Sequence, residues 1–196
     1  MGSGSGPHAV RRTTYLPVQP SLLDWRCASA GLIANPANPA CPPMPRQWLM
    51  KSEPSECSID DLAAAPRRTV PWVGVRNYQS RNTMRDLMAL GDIVLFYHSS
   101  CPEPGIAGLA SVASAAYPDA TQFDPASLYF DPKATPDAPR WLHVDVKLLR
   151  KTRLLSLREM RQAPELASML VLKRGNRLSI TPVSDDEWQA LRPYLA

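Results

Sequence analysis

Three serine-led boxes set the outline of this chain. Ser58 stands three residues before Asp61, Ser156 three before Glu159, and Ser184 three before Glu187. In each pair the serine hydroxyl is placed to accept from the third helical N–H while the acid reaches back to the cap, so each box opens a helix. Each also follows a strand-like run: QWLMKS at 47–52, WLHVDVKLL at 141–149, and the alternating Leu178, Ile180 and Pro182. Within residues 141–149, Leu142, Val144, Val146 and Leu148 face one way while Trp141, His143, Asp145 and Lys147 face the other, the period of a half-buried strand. About five strands and several short helices are interspersed along the chain, with connections of mixed type. The pattern predicts an α+β fold, a curved mixed sheet or partial barrel with peripheral helices.

The stretch between the first two boxes fills in the rest. A helix is expected over residues 75–88, with Asn77, Arg81 and Arg85 on one face and Met84, Leu87 and Met88 buried. Gly91-Asp92 breaks it, a strand follows at 92–99, and CPEPG at 101–105 turns the chain into a third strand at 105–113. Gly108 inside that strand marks a place where a neighbour approaches the backbone closely. Residues 115–140 read as a long, proline-interrupted loop of the kind that binds or moves. After the second box a further short helix is expected at 164–172.

Composition narrows the function classes. The chain has 196 residues, 44% of them hydrophobic and 20% charged, enough for one packed domain. Residues 1–45 stand apart: MGSGSG has linker composition and ANPANPACPPMP favours extended, unpaired backbone. They are expected to form a disordered extension ahead of a domain over 46–196, with Met44 a candidate start. Four cysteines without a CxxC pair and three histidines argue against a metal site, and no cofactor is implied. No apolar run reaches the ~20 residues of a membrane span, so no membrane is expected as a partner. The scattered cysteines suit free thiols in a reducing cytosol, and a cytoplasmic location and a monomer are expected. The net charge of +4 permits a nucleic-acid partner without demanding one.

The chemistry gathers in residues 71–100, PWVGVRNYQSRNTMRDLMALGDIVLFYHSS. A tryptophan beside a glycine, a helix rich in amides and guanidiniums, and a strand ending in Tyr-His-Ser together make a wall suited to a flat polar ring on a phosphate chain. An unstacked base is held by aromatic faces and read by hydrogen bonds at its edge. Trp48, Trp72, Tyr97 and Trp141 could supply faces; Ser52, Asn77, Asn82 and Ser99 could supply edge contacts. Arg76, Arg81 and Lys51 suit phosphate, with Arg85 on the same helix face. Core packing and a solvated helix face compete for the same residues.

At these positions the chain resembles a known family. WLMKSEP at 48–54, WVGVRNYQSRN at 72–82, LFYHSSCPEPGIAGLASV at 95–112, AYPDATQFDP at 116–125, PRWLHVDVK at 139–147 and RLSITPVSDDEW at 177–188 are similar to the EVE domain family. The resemblance implies a PUA-like fold and a pocket for a modified, methylated nucleobase in DNA or RNA. It matches Lys51 and Ser52 to a first-strand Lys-Ser pair, Trp72 to a cage tryptophan and, more loosely, Trp141 to a second wall. Arg76, Asn77, Tyr78, Arg81 and Asn82 match the family's own signature. With Tyr97, His98 and Ser99 they make the expected base site, and Arg76, Arg81 and Arg85 the expected phosphate contacts.

No GxSxG, GxxxxGK[ST], HExxH or GxGxxG occurs, so the expectation is a binding module without catalysis. The competing reading is an enzyme acting on a modified base in the same pocket. Its proton-transfer candidates are His98, Glu53 and Asp145.

Overall fold

The computed structural model describes residues 44–195. QWLMKS is β1 (Gln47–Ser52), and Ser58 caps α1 (Ile59–Ala64) with both halves of its box formed. A turn through Pro66–Arg68 leads to β2 (Thr69–Pro71), and α2 (Tyr78–Asp86) follows. Then come β3 (Ile93–His98), β4 (Gly105–Val112), the short β5 (Tyr117–Pro118) and β6 (Leu142–His143), and the long β7 (Asp145–Ser156). Ser156 and Ser184 cap α3 (Leu157–Gln162) and α4 (Asp185–Leu191) through the expected boxes, with β8 (Ile180–Val183) between them.

Six strands form one mixed sheet in the order β2-β7-β4-β3-β1-β8, in which only β1 and β3 run parallel; β5 and β6 make a separate ribbon. The sheet is not closed into a barrel, since β2 and β8 remain edges. It is strongly curled all the same. Trp72, just past β2, meets Phe96 of β3 edge-on with ring centroids 5.3 Å apart, although β7 and β4 lie between those strands. The α+β expectation therefore holds.

Strand alternation divides the core in two. Trp48, Met50, Val94, Phe96, Val146 and Leu148 point to one face and pack with Ile59 and Leu62 of α1 and Met84 of α2. Leu49, Leu95, Tyr97, Ile106 and Leu155 point to the other, against Met160 of α3 and Trp188 and Leu191 of α4. Gly108 is where α1 presses on the sheet: a Cβ there would fall 2.8 Å from Ile59 Cδ1 and 2.9 Å from the Arg150 carbonyl oxygen.

Several boundaries differ from the expectation for identifiable reasons. The second helix starts at Tyr78, because Asn77 stays extended and its Oδ1 accepts the Ser80 N–H at 3.1 Å as a cap. It stops at Asp86, leaving Leu87 exposed instead of buried. The strand expected at 141–149 is interrupted at Val144 and then runs on to Ser156. Trp141 and His143, expected on a solvent face, are buried because residues 117–131 fold back over them. Residues 164–172 form two separate 3-10 turns instead of one helix. The extension expected over residues 1–45 lies, but for its last two positions, outside the described residues. Among the described residues no helix is long and apolar enough to cross a membrane, and no group of three or more His, Cys, Asp or Glu side chains is placed to hold a metal ion.

Candidate nucleic-acid interface

The long loop is tied to the segment after β2 through one buried carboxylate. Asp119 Oδ2 accepts the Gly74 N–H at 3.0 Å and Arg76 Nη1 at 2.8 Å, while its Oδ1 accepts the Thr121 N–H at 2.9 Å and the Thr121 hydroxyl at 2.6 Å. Its side chain is 1% exposed. Burial alone would raise the Asp119 carboxyl, yet the neighbouring His143, Thr121, Arg76 and Gly74 together hold it well below the usual carboxylate range. His143 contributes as a near neighbour, not as a hydrogen-bond donor: its Nδ1 is 3.9 Å from Oδ1, and neither ring nitrogen has a partner among the described residues.

Arg76 completes the tie. Its Nε donates to the Tyr129 carbonyl at 2.8 Å and its Nη2 to the Thr121 hydroxyl at 2.9 Å, with the guanidinium carbon 5.3 Å from the Tyr129 ring centre. The Tyr129 ring lies directly on Gly74, where a Cβ would stand 2.6 Å from Cζ, and φ at Gly74 is +84°. Glycine is required here on both counts. The Tyr129 hydroxyl donates to the Glu56 carboxylate, and burial, then that contact, pushes the phenol up to about 12.

A second cluster adjoins the first. Tyr78, 45% exposed, stacks on Trp141 with centroids 4.7 Å apart and planes at 25°. Arg81 lies 4.7 Å from the centre of the Tyr78 ring, donates to the Arg140 carbonyl at 2.9 Å, and grips Asn82 Oδ1 through Nε and Nη2. Arg140 donates to the Tyr78 hydroxyl. The Nδ2 amides of Asn77 and Asn82 face no partner among the described residues, so both can read the edge of a ligand.

The expected site is thus gathered in part. Arg76, Asn77, Tyr78, Arg81, Asn82 and Trp141 come together, joined through Gly74 to Trp72. Ser52, His98 and Ser99 lie near the far end of that compartment: His98 sits edge-on to Phe96 at 5.7 Å, Ser52 Oγ donates to the Cys57 carbonyl, and the Ser99 N–H donates to the Ser52 carbonyl. Burial, opposed by nearby Asp60, lowers the His98 imidazole, whose Nε2 accepts the Ile59 N–H at 3.0 Å.

The four aromatic faces are not brought into one open cage. Trp48 lies at the opposite end of β1 from Ser52, 3% exposed, with Nε1 donating to Asp92 at 2.8 Å. Tyr97 belongs to the core on the other side of the sheet, and strand alternation sends Lys51, its neighbour in register, the same way. The Lys51 ammonium is half-buried, without a hydrogen-bond partner among the described residues, and lowered by burial. Trp72 is 7% exposed against Phe96 and Trp141 is 6% exposed, its Nε1 donating to Asp131. Nor are all the arginines free. Arg76 is committed to Asp119, whereas Arg85 makes only an exposed pair with its neighbour Asp86. Arg67 and Arg68, before β2, are exposed and lack an ion-pair partner among the described residues, and both adopt positive φ, 55° and 53°. The proton-transfer candidates are dispersed and engaged: Glu53 accepts the Ser100 hydroxyl and Asp145 the Tyr117 hydroxyl.

Comparison with known proteins decides the family. A family model described as the EVE domain matches residues 46–193. The chain belongs to the EVE domain family. Human thymocyte nuclear protein 1 is 43% identical over 159 residues, covering 72% of this chain and 70% of that protein. A Pseudomonas putida protein of solved structure is 46% identical, with a TM-score of 0.72 over 76% of this EVE chain and 99% of its own. The human THYN1 protein, solved in complex with 5-methylcytosine-containing DNA, is 41% identical, with a TM-score of 0.71 over 76% of this chain and 96% of that one.

Sequence reasoning missed Asp119, which ties the loop to the site, and Tyr129 and Glu56, which meet beside Gly74. The motif AYPDATQFDP contained the first of them, but its partners lie 43 and 45 residues away, and nothing local announces the contact.

Proposed function

We propose that this protein is a non-catalytic reader that binds DNA carrying a methylated base, with the base everted toward the compartment between Trp72–Asn82 and the loop at 117–131. The observation that carries the reading is the 41% identical human THYN1 structure, which holds 5-methylcytosine-containing DNA on the same fold. The arrangement of this chain supports it chemically. Tyr78, 45% exposed, stacked on Trp141 and lying beneath Arg81, offers an aromatic and cationic surface for a base, and base–aromatic stacking is worth roughly 1–3 kcal/mol. Asn77 and Asn82 offer unused amide donors for the base edge. Trp72 and His98, both edge-on to Phe96, mark the inner end of this reading, where burial of a methyl group would add about 0.8 kcal/mol, a factor near four. Phosphates flanking the base are met by Arg67 and Arg68, by Arg81, and by Arg85, whose exposed pair with Asp86 is weak enough to exchange.

Competition binding tests the reading. A fluorescent duplex with one 5-methylcytosine is displaced by matched unlabelled duplexes with and without the methyl group. The methylated competitor is expected to be about fourfold to tenfold stronger. Equal competition by the two removes the basis for a reader.

A further inference from the structure

We infer that the slot now filled by the Tyr129 ring is the seat of the everted base, and that the Glu56 carboxylate reads its exocyclic amino group. The inference rests on the reader function proposed above and assigns the atoms that would do the reading. A six-membered aromatic ring already sits there. One face rests on the bare Cα of Gly74, where no side chain would fit, and the Arg76 guanidinium lies 5.3 Å from the ring centre. At the far edge a single donor, the phenol hydroxyl, points into the Glu56 carboxylate. A flat ring packed against bare backbone and near a guanidinium, with a donor aimed at a carboxylate, presents the chemistry of a cytosine ring whose N4 amino group donates at one edge. Glutamate is a matched acceptor for that group. Arg contacts of this type are tolerant of ring identity, because they act on the π face.

Tyr129 is therefore a placeholder that a base must displace. Its ring is held by an exposed hydrogen bond at the hydroxyl and by contact with Gly74 and the Arg76 guanidinium, while Arg76 also binds its backbone carbonyl. The carbonyl contacts fix the backbone, so the ring leaves by side-chain rotation while Asp119 and Arg76 keep the loop in place. The carboxylate it releases is then free for the incoming amine. Thymine carries the same 5-methyl group but an O4 acceptor in place of the amine, so Glu56 repels it. The slot thus separates two methylated pyrimidines that an apolar pocket alone treats alike.

The test uses the full chain and three duplexes that differ at one position: cytosine, 5-methylcytosine and thymine, the last paired with adenine. Binding is measured by fluorescence anisotropy for the wild type, Tyr129→Phe and Glu56→Ala, with circular dichroism melts confirming folding. Tyr129→Phe keeps the ring but frees Glu56, and is expected to raise 5-methylcytosine affinity roughly threefold to tenfold, the release of one hydrogen bond. Glu56→Ala is expected to shrink the preference for 5-methylcytosine over thymine by roughly tenfold or more, the loss of a charge-assisted hydrogen bond. An unchanged 5-methylcytosine-to-thymine ratio in Glu56→Ala, or a weakened Tyr129→Phe that still melts like the wild type, overturns the assignment. If instead the wild type fails to separate 5-methylcytosine from cytosine, the reader function itself falls, a different outcome from failure of the slot.

Discussion

Asp119→Asn tests whether one carboxylate holds the loop to the site. The substitution keeps the size and removes the charge. Each Asp119 oxygen now takes two donors: Oδ2 takes Gly74 N–H and Arg76, and Oδ1 takes the N–H and hydroxyl of Thr121. An asparagine can accept on one side only, so its NH2 must confront either the Gly74 or the Thr121 backbone N–H. A buried donor left unpaired costs about 1–3 kcal/mol, and Arg76 loses about 1 kcal/mol more on facing a neutral amide. The expected loss is about 3 kcal/mol, or roughly 6–12 °C in melting temperature for a domain of this size. Urea denaturation at pH 7 measures it. The acid limb gives a second readout. Because the folded carboxyl lies well below its unfolded value, its contribution is full above about pH 4 and disappears as pH falls toward the folded value. The variant should therefore lose less stability than the wild type between pH 4 and 2. A destabilisation under about 1 kcal/mol, with the acid limbs superimposed, would show that the loop is held by something else.

Three further outcomes follow from the same geometry. Trp72→Ala is expected to cost about 3–5 kcal/mol because the indole packs on Phe96 in the core, so its effect on binding must be read against Trp72→Phe, and a melt unchanged in Trp72→Ala would contradict that packing. His98 accepts the Ile59 N–H only when deprotonated, and burial, partly offset by Asp60, lowers its pKa; its contribution is whole above about pH 6.5 and is lost as pH falls through the folded value, so His98→Gln should flatten urea stability between pH 7 and 5. Replacing both Arg67 and Arg68 by glycine removes two strained positive-φ arginines, leaving urea stability within about 1 kcal/mol of the parent while the slope of log affinity against log salt falls by about 2 units; an unchanged slope places the DNA elsewhere.

The parts of this protein that were legible in its sequence are those set by neighbours. Ser58, Ser156 and Ser184 act on groups three residues away, so their boxes read directly, and the first strand is met residue for residue. Gly108 was legible as a close approach, though not that Ile59 makes it. The site was readable in its residue types and not in their partners. Arg76 looks like a phosphate ligand until Asp119 is found beside it, and that carboxylate arrives from a loop 43 residues on. Trp48 and Trp72 look alike as letters, yet one anchors Asp92 at the far end of β1 and the other packs on Phe96 beside the site. The alternation at 141–149 gave the inward face correctly but could not show that Trp141 and His143, on the opposite face, would be covered by residues 117–131.

Where the methyl group of the bound base lies is the most direct test of the reader proposal. Duplex DNA carrying a 13C-labelled methyl on its 5-methylcytosine, bound to the protein, reports this by nuclear Overhauser contacts to assigned ring protons. Contacts to the rings of Trp72, Tyr78 or Tyr129 are the predicted result. A methyl that contacts none of them, and stays stacked within the duplex, would contradict the account.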